Sequence, residues 1–559
     1  MVNRILTRLD PAQSESYYRE GRWRADSLWD VFQVGAYAHP ERGAIIERAR
    51  SHTYRDMLEA ASRLAAWLHE QGLREGDRVA VWLPSRAEVA AAVLACARLG
   101  LVCCPSLHRD HTVGQVVELA ERMRAAAFVG QPNYGADAHR HDVFAELDKL
   151  ATPPAALRLP AFADATTDAG RPAMFADLAA SPAPPAHRTH ADAVVYLAFT
   201  SGSTGEPKGV MHSSNTLLSP VRAMAHDWAL GGDTVIYSLS PLSHNLGFGA
   251  MLTALTNGGT LVAHDLPRGA SVAERMVETG TAFAFGVPTH VIDLLEEIER
   301  GRAQGLRLRG FRISGAAVSQ DVVLRLRACG ITPQTGYGMT EAGSHHYTRA
   351  EDAPELIAET SGRPFEGHEV KIVDREDPTR ELPPGDVGQI LGRGPSITLG
   401  YFDDQRATET SITADGWLLT GDLGWQDENG YIRITGRKKD VIIRGGHNIF
   451  PARIEGLAGG CPGVAAVAAV SVPDPRLGER VCLVVTSKEQ PPAAEEILGH
   501  LDRAGLSKYD MPEFYAVMDA LPLLPSGKVD KRRIEALIAD KAVAIERVRF
   551  TEGAKGAQE

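Results

Sequence analysis

The sequence predicts an α/β chain with a large N-terminal domain and a small α+β C-terminal domain. Three observations carry this. Helical and strand patterns alternate through residues 27–130, glycine- and proline-rich turns punctuate a β-rich stretch ending near Gly436, and short strands with a basic helix follow it. At 559 residues the chain exceeds what one ordinary core holds, so at least two domains are expected, at 1–436 and 437–559.

From Arg55 to Leu68 the apolar residues recur at three- and four-residue spacing, which marks an amphipathic helix. Gly76-Asp77 leads into Arg78-Val79-Ala80-Val81-Trp82-Leu83, a buried strand closed by Pro84. Glu88 to Leu99 is helical again, and Val102-Cys103-Cys104-Pro105 is a further short strand. Strands alternating with helices pair in parallel, because the crossover helix returns the chain in the same direction. Residues 152–187, rich in Pro, Ala, Asp and Thr, read as a surface excursion before a new sheet. Turns at Pro383-Pro384-Gly385-Asp386 and Gly394-Pro395 break the β-rich stretch. Beyond Gly436, strands at Val464 to Val472 and Arg480 to Thr486 and a helix from Lys531 to Lys541 suggest the compact second domain; Thr551 to Glu559 reads as a loose tail.

Hydrophobic residues at 44% and charged residues at 23% are ordinary for a packed globular protein. A net charge of -12 argues against nucleic acid as a partner, since phosphate backbones select a basic face. From Arg437 onward 18 Lys and Arg stand against 17 Asp and Glu, so the acidic excess lies in the first part. Cys96, Cys103, Cys104, Cys329, Cys461 and Cys482 show neither CxxC nor zinc-finger spacing, which suits a reducing, cytoplasmic compartment. The start lacks the apolar core of a signal peptide, and no apolar run nears the ~20 residues of a spanning helix, so no membrane partner is expected.

Val194-Val195-Tyr196-Leu197-Ala198-Phe199 reads as a buried strand running straight into Thr200-Ser201-Gly202-Ser203-Thr204-Gly205-Glu206-Pro207-Lys208-Gly209. Glycines let backbone N–H groups converge on an anion, hydroxyls add donors and Lys208 adds charge, a combination suited to polyphosphate. A flexible Gly/Ser turn would explain a short Gly-Ser element, but not ten such residues in a row after a strand. Lys208 follows proline and no Gly-Lys-Ser/Thr is present, so this is not the P-loop NTPase motif.

Tyr196 to Val210 resembles the phosphate-loop signature of the adenylate-forming superfamily of acyl-CoA synthetases, peptide-synthetase adenylation domains and luciferases. The resemblance continues in order through Pro241-Leu242-Ser243-His244-Asn245, Gly336-Tyr337-Gly338-Met339-Thr340-Glu341, Trp417-Leu418-Leu419-Thr420-Gly421-Asp422, Gly436-Arg437-Lys438-Lys439-Asp440 and Pro525-Ser526-Gly527-Lys528. It implies a large domain of mixed sheets flanked by helices, a small mobile α+β domain, and ATP-dependent conversion of a carboxylic acid to acyl-AMP and pyrophosphate. Transfer to the thiol of coenzyme A would follow.

That chemistry brings an anionic oxygen to the α-phosphorus of another anion. A carboxylic acid is already ionised at neutral pH, so no general base is required, and cations and oriented donors must supply the catalysis. Glu341 is the candidate magnesium ligand, since a hard cation prefers carboxylate oxygen and keeps phosphates and waters as further ligands. By resemblance Thr340 contacts the α-phosphate, and the adenine lies between Tyr337, flanked by Gly336, Gly338 and Met339, and Ser314-Gly315-Ala316-Ala317. Asp422 and Arg437 hold the ribose, Lys528 bridges carboxylate and α-phosphate, and Lys439 is the hinge about which the small domain turns. Gly445, Gly446 and His447 would line the pantetheine tunnel, although a plain β-turn is equally served by the two glycines.

The acyl pocket is expected at His244, Asn245, Phe248, Val287, Gly338, Gly343 and Ser344, with His244 near the carboxylate. Its composition suits a cyclic, aromatic or medium-chain acid. Within the superfamily the chain resembles cyclohexanecarboxylate-type acyl-CoA ligases and 2,3-dihydroxybenzoate-AMP ligases. It departs from the latter at Thr340, where those enzymes commonly carry Ala. Coenzyme A is the expected acceptor. The alternative is an aryl-acid AMP ligase that loads a carrier-protein phosphopantetheine in trans, and a homodimer stays open.

Overall fold

A computed structural model of the chain describes residues 5–48, 50–161, 174–175, 177–178, 190–200, 207–267, 269–315, 318–445, 447–487, 490–524 and 527–549. It divides into two compact units. The first comprises residues 1–370, 391–419 and 429–432, and the second 371–390, 420–428 and 433–559. The second unit starts its long run at Arg433, close to the cut expected at Gly436, and also takes in two earlier stretches.

Among the described residues the first unit holds two large sheets. In one, strands Ala155–Arg158, Ala125–Gly130, Arg78–Trp82, Val102–Cys104 and Val194–Thr200 run parallel, and Lys208–Ser213 closes the row as an antiparallel hairpin partner. The other has nine strands, with Val235–Ser238, Phe283–Gly286, Gly310–Ile313 and Thr332–Met339 parallel at its centre and Gly343–Tyr347 turning back antiparallel at one side. The strand Ala155–Arg158 falls inside the stretch expected to be a surface excursion.

The predicted helix is Tyr54–Glu70, opened by a capping box between Thr53 and Asp56 that satisfies end N–H groups. It buries Met57, Ala60, Ala61, Leu64, Ala65 and Leu68 against the alanine-rich helix Ala87–Leu99, whose small side chains permit close approach. Truncating Leu64 there would cost about 2–5 kcal/mol through lost transfer energy and a residual cavity. The core continues to Phe248, Tyr196, Phe283 and Phe285 beside the second sheet. No helix of the described residues is long and apolar enough to cross a membrane.

A four-stranded sheet orders Glu369–Val373, Gly388–Arg393, Leu418–Gln426 and Ile432–Arg437. In the second unit, Gly478–Thr486 pairs antiparallel with Ala466–Asp474 and parallel with Phe514–Val517, and helices Pro451–Ala458, Ala494–Arg503 and Lys531–Ala539 accompany that sheet.

Candidate active site

The hairpin formed by Val194–Thr200 and Lys208–Ser213 ends on the pair Thr200 and Lys208, which brings the two ends of the phosphate loop together. Ser201, Gly202, Ser203, Thr204 and Gly205 lie outside the described residues. The outer side of Lys208–Ser213 is taken by residues 399–402. Phe402 N–H donates to Gly209 O at 2.7 Å, Met211 N–H to Gly400 O at 3.0 Å and Leu399 N–H to Met211 O at 2.9 Å. This pairing sets Tyr401 between two predicted residues. Lys208 Nζ lies 4.9 Å from the Tyr401 ring centroid, and the Tyr401 hydroxyl donates to Glu341 Oε1 at 3.0 Å. Burial, reinforced by the Glu341 charge, holds the Tyr401 hydroxyl well above the usual phenol range, so it stays a donor. Sequence reasoning missed Tyr401, since an aromatic in Leu-Gly-Tyr-Phe reads as core.

Thr340 and Glu341 occupy the turn between antiparallel strands Thr332–Met339 and Gly343–Tyr347. Glycines are required here by contact. A Cβ on Gly338 would sit 2.3 Å from Gly343 O, and one on Gly336 would sit 2.2 Å from Arg312 Nη1. The turn is pinned from both sides. Thr398 N–H donates to Glu341 O at 2.7 Å, and His212 Nε2–H donates to Thr340 O at 2.7 Å. Because a carbonyl only accepts, His212 carries its proton on Nε2, and Nδ1 accepts from Thr216 Oγ1 at 3.0 Å. Burial pushes this imidazole down to about 4, so it is neutral at physiological pH.

Helix Asn245–Thr256 starts from His244, and Asn245 Nδ2 donates to Met339 O at 3.4 Å, linking the expected acyl side to the Thr340 turn. His244 stacks on His108 with centroids 4.1 Å apart. Phe248 is 1% exposed and stacks on Tyr196 at 4.4 Å. Val287 is partly exposed, and a Cβ on Gly315, which has φ +96°, would lie 3.7 Å from Val287 Cγ1. Ala316 and Ala317 lie outside the described residues. Met339 and Ser344 are partly exposed, and so is Tyr337, which meets His345 edge-on at 4.8 Å.

Behind Tyr337 lies a polar cluster that the sequence did not disclose: Arg312, Gln334, His345, His346 and His368, all buried. Arg312 Nη1 donates to Gln334 Oε1 at 3.2 Å, and no carboxylate pairs with the guanidinium among the described residues. Burial lowers Arg312 to about 10, which still leaves it cationic at neutral pH. Arg312 Nε, Gln334 Nε2, His345 Nε2 and His346 Nε2 have no hydrogen-bond partner among the described residues, and a buried group left so costs about 1–3 kcal/mol. An open depression of about 570 Å³ lined by Leu266, Ser271, Glu274, Arg275 and Arg302 contains none of the predicted residues.

The second unit carries the rest. Asp422 is buried and pairs with Arg437 Nε at 3.2 Å, so both predicted ribose ligands meet. Lys439 sits in the single turn Lys438–Asp440, just after Gly436 with φ +151°. Gly445 has φ +59°, and His447 Nε2 lies 2.7 Å from Asp510 Oδ1; Gly446 is outside the described residues. Lys528 is exposed on a tight turn in which Leu524 N–H donates to Lys528 O at 2.7 Å and Gly527 N–H to Leu524 O at 2.8 Å. Asp530 then caps helix Lys531–Ala539. Pro525 and Ser526 fall outside the described residues.

The AMP-binding enzyme family matches residues 32–402, and the AMP-binding enzyme C-terminal domain matches 453–528. The medium-chain fatty-acid–CoA ligase of Escherichia coli (strain K12) is 32% identical over 521 residues, covering 92% of this chain and 91% of that protein. The salicylyl-CoA synthase / salicylate adenylyltransferase of a Streptomyces species is 32% identical over 553 residues, covering 96% and 98%. Among solved structures, ATP-bound MatB from Rhodopseudomonas palustris superposes with a TM-score of 0.79 at 26% identity, covering 92% of this chain and all of that one, 100%. Taken with the pinned Thr340–Glu341 turn and its neighbour Lys208, these matches place the chain in the AMP-binding enzyme family, within the adenylate-forming superfamily.

Proposed function

We propose that the protein is an AMP-forming acid–thiol ligase acting on a cyclic, aromatic or medium-chain acid with coenzyme A as acceptor. The observation that carries this is the grouping of Lys208, Tyr401, Glu341 and Thr340 beside the ends of the phosphate loop. In the first step a carboxylate oxygen bonds to the α-phosphorus of ATP and pyrophosphate leaves. In the second the thiol sulfur bonds to the acyl carbon, AMP leaves and the thiol proton passes to solvent. Lys208 neutralises phosphate charge, Thr340 donates from a turn that cannot drift, and Lys528 is assigned by resemblance to the charge that builds during adenylation.

Glu341 would hold magnesium. A hard cation there would take the one carboxylate and keep phosphates and waters as its other ligands. When bound, it would spread the charge of the leaving pyrophosphate. Asp422 with Arg437 is the ribose clamp and His447 with the Gly445 turn the pantetheine contact in this reading. The acid class is supported by the names of the medium-chain and salicylyl relatives and by the half-buried His244 and Asn245. Six unpaired cysteines, five of them buried, support a reducing cytoplasmic setting.

Acid-dependent pyrophosphate exchange, followed by AMP release on adding coenzyme A, tests the reading. Exchange with a member of a cyclic, aromatic and medium-chain panel is expected. No exchange with any acid would sink it. Exchange without thioester formation on coenzyme A would favour a carrier protein in trans.

A further inference from the structure

Three histidines from two distant segments form one column of rings. His108 and His244 stack with centroids 4.1 Å apart at 17°, and His108 and His111 stack at 5.2 Å and 16°. His108 occupies the middle and is held from several sides. Trp82 Nε1 donates to His108 O at 2.9 Å, and the His108 N–H donates to His111 Nδ1 at 2.8 Å. Its ring Nδ1 lies 3.2 Å from Ser243 Oγ, on the residue that precedes His244.

His244 stands at the start of helix Asn245–Thr256. Its backbone is set by the helix start, with His244 N–H donating to Pro241 O at 3.0 Å and Phe248 N–H to His244 O at 2.8 Å. Its side chain makes no capping hydrogen bond to that helix, so the ring plane is not set by the helix start. The face of His108 supplies a reference plane. We infer that His108 is a positioning residue for His244, holding the acyl-site imidazole flat against a rigid ring at the start of helix Asn245–Thr256. This rests on the proposed role of His244 near the substrate carboxylate.

Charge supports the same assignment. His111 Nδ1 lies 2.8 Å from the backbone nitrogen of His108 and 3.2 Å from its carbonyl oxygen, and burial lowers the His111 imidazole below its usual range. Burial pushes His108 down to about 2, with His244 and His111 acting in the same direction. Burial therefore favours the uncharged form of both rings that back His244. Stacked rings at this spacing resist rotation. Misplacement of a reacting group by an ångström costs about 100-fold in rate, so a His244 ring shifted from the plane set by His108 would be felt in adenylation.

The experiment compares His108→Ala, His108→Leu and His108→Phe in the full chain by acid-dependent pyrophosphate exchange, each also made in a His244→Ala background. The Ala and Leu variants are expected to lose about 10- to 100-fold in kcat/KM, and Phe, which restores a flat ring, to recover most of it. In the His244→Ala background the same changes should have little further effect, since residues acting as one unit are not additive. The ring resonances of His244 in selectively labelled protein should shift in His108→Leu and return towards wild type in His108→Phe. Additive losses, a Phe variant as poor as Leu, or unmoved His244 resonances would overturn the inference. If the wild type exchanges with no acid, the proposed function falls, while the resonance comparison still decides whether His108 holds the ring.

Discussion

Removing one oxygen from Tyr401 separates two contacts that its side chain combines. The ring lies 4.9 Å from Lys208 Nζ and the hydroxyl donates to Glu341 Oε1 at 3.0 Å. Tyr401→Phe keeps the first contact and deletes the second. A hydrogen bond to a charged group contributes about 1.5–3 kcal/mol, and solvent at the partly exposed Glu341 selects the lower end. The turn itself should hold, because Thr398 and His212 still grip Glu341 O and Thr340 O. The loss is then concentrated in where the carboxylate points. At about 1.4 kcal/mol per tenfold, adenylation should fall about 10-fold, with more magnesium needed for half-maximal rate. Pyrophosphate exchange measured across a magnesium titration reads both effects, and a melting curve checks the fold. Wild-type exchange with an unchanged magnesium dependence would refute the idea that the hydroxyl aims Glu341. A collapsed melting curve would instead make Tyr401 a plain core residue.

Four further outcomes are expected. Lys528→Ala should abolish adenylation yet leave thioester formation from supplied acyl-AMP largely intact; loss of both half-reactions would contradict separate roles for the two steps. Gly338→Ala puts a methyl 2.3 Å from Gly343 O and 2.9 Å from Ser344 Cα, both backbone atoms, so it should cost about 1–3 kcal/mol and weaken ATP binding, read by melting and nucleotide titration. Arg312→Met combined with Gln334→Leu removes a buried cation and its unsatisfied neighbour, and should raise stability by about 1–4 kcal/mol in urea unfolding; a drop would reveal a counter-charge for Arg312. His212 takes up its proton only near pH 4 in the fold but near 6.5 when unfolded, so unfolding binds a proton between those values and stability rises with pH across that window. His212→Gln should flatten that part of the stability profile, and an unchanged slope would assign it to other groups.

The elements that were legible were those whose signal is local. The helix from Tyr54 to Glu70 announces itself by spacing and by Thr53 with Asp56, and strand Arg78–Trp82 by a run of apolar residues between turns. The same holds for the ends of the phosphate loop and the Thr340–Glu341 turn, where the chemistry needs adjacent glycines, hydroxyls and charges. The unit division was not legible, because residues 371–390 and 420–428 join the later chain through long-range contacts that local composition does not show. Which face of helix Asn245–Thr256 meets the core was not legible either, because Leu246, Met251, Leu252 and Leu255 leave no single apolar stripe.

The site residues that sequence reasoning missed share one property. Tyr401 acquires its role only when residues 399–402 pair with the strand Lys208–Ser213, and His108 only when the chain after Val102–Cys104 meets the start of helix Asn245–Thr256. Arg312 and His346 likewise come together through the parallel pairing of Gly310–Ile313 with Thr332–Met339 and the return of Gly343–Tyr347. A group that touches phosphate directly must bring its neighbours with it in sequence, because backbone N–H groups and turn glycines act as a continuous stretch. A group that acts through another residue needs only to arrive beside it, from any part of the chain. Ligand-binding motifs are therefore readable one at a time, whereas the residues that orient them become visible only once the strands are paired. For the same reason the predictions most worth testing concern Tyr401 and His108: their substitution changes no motif, yet each should move a rate through the residue it holds.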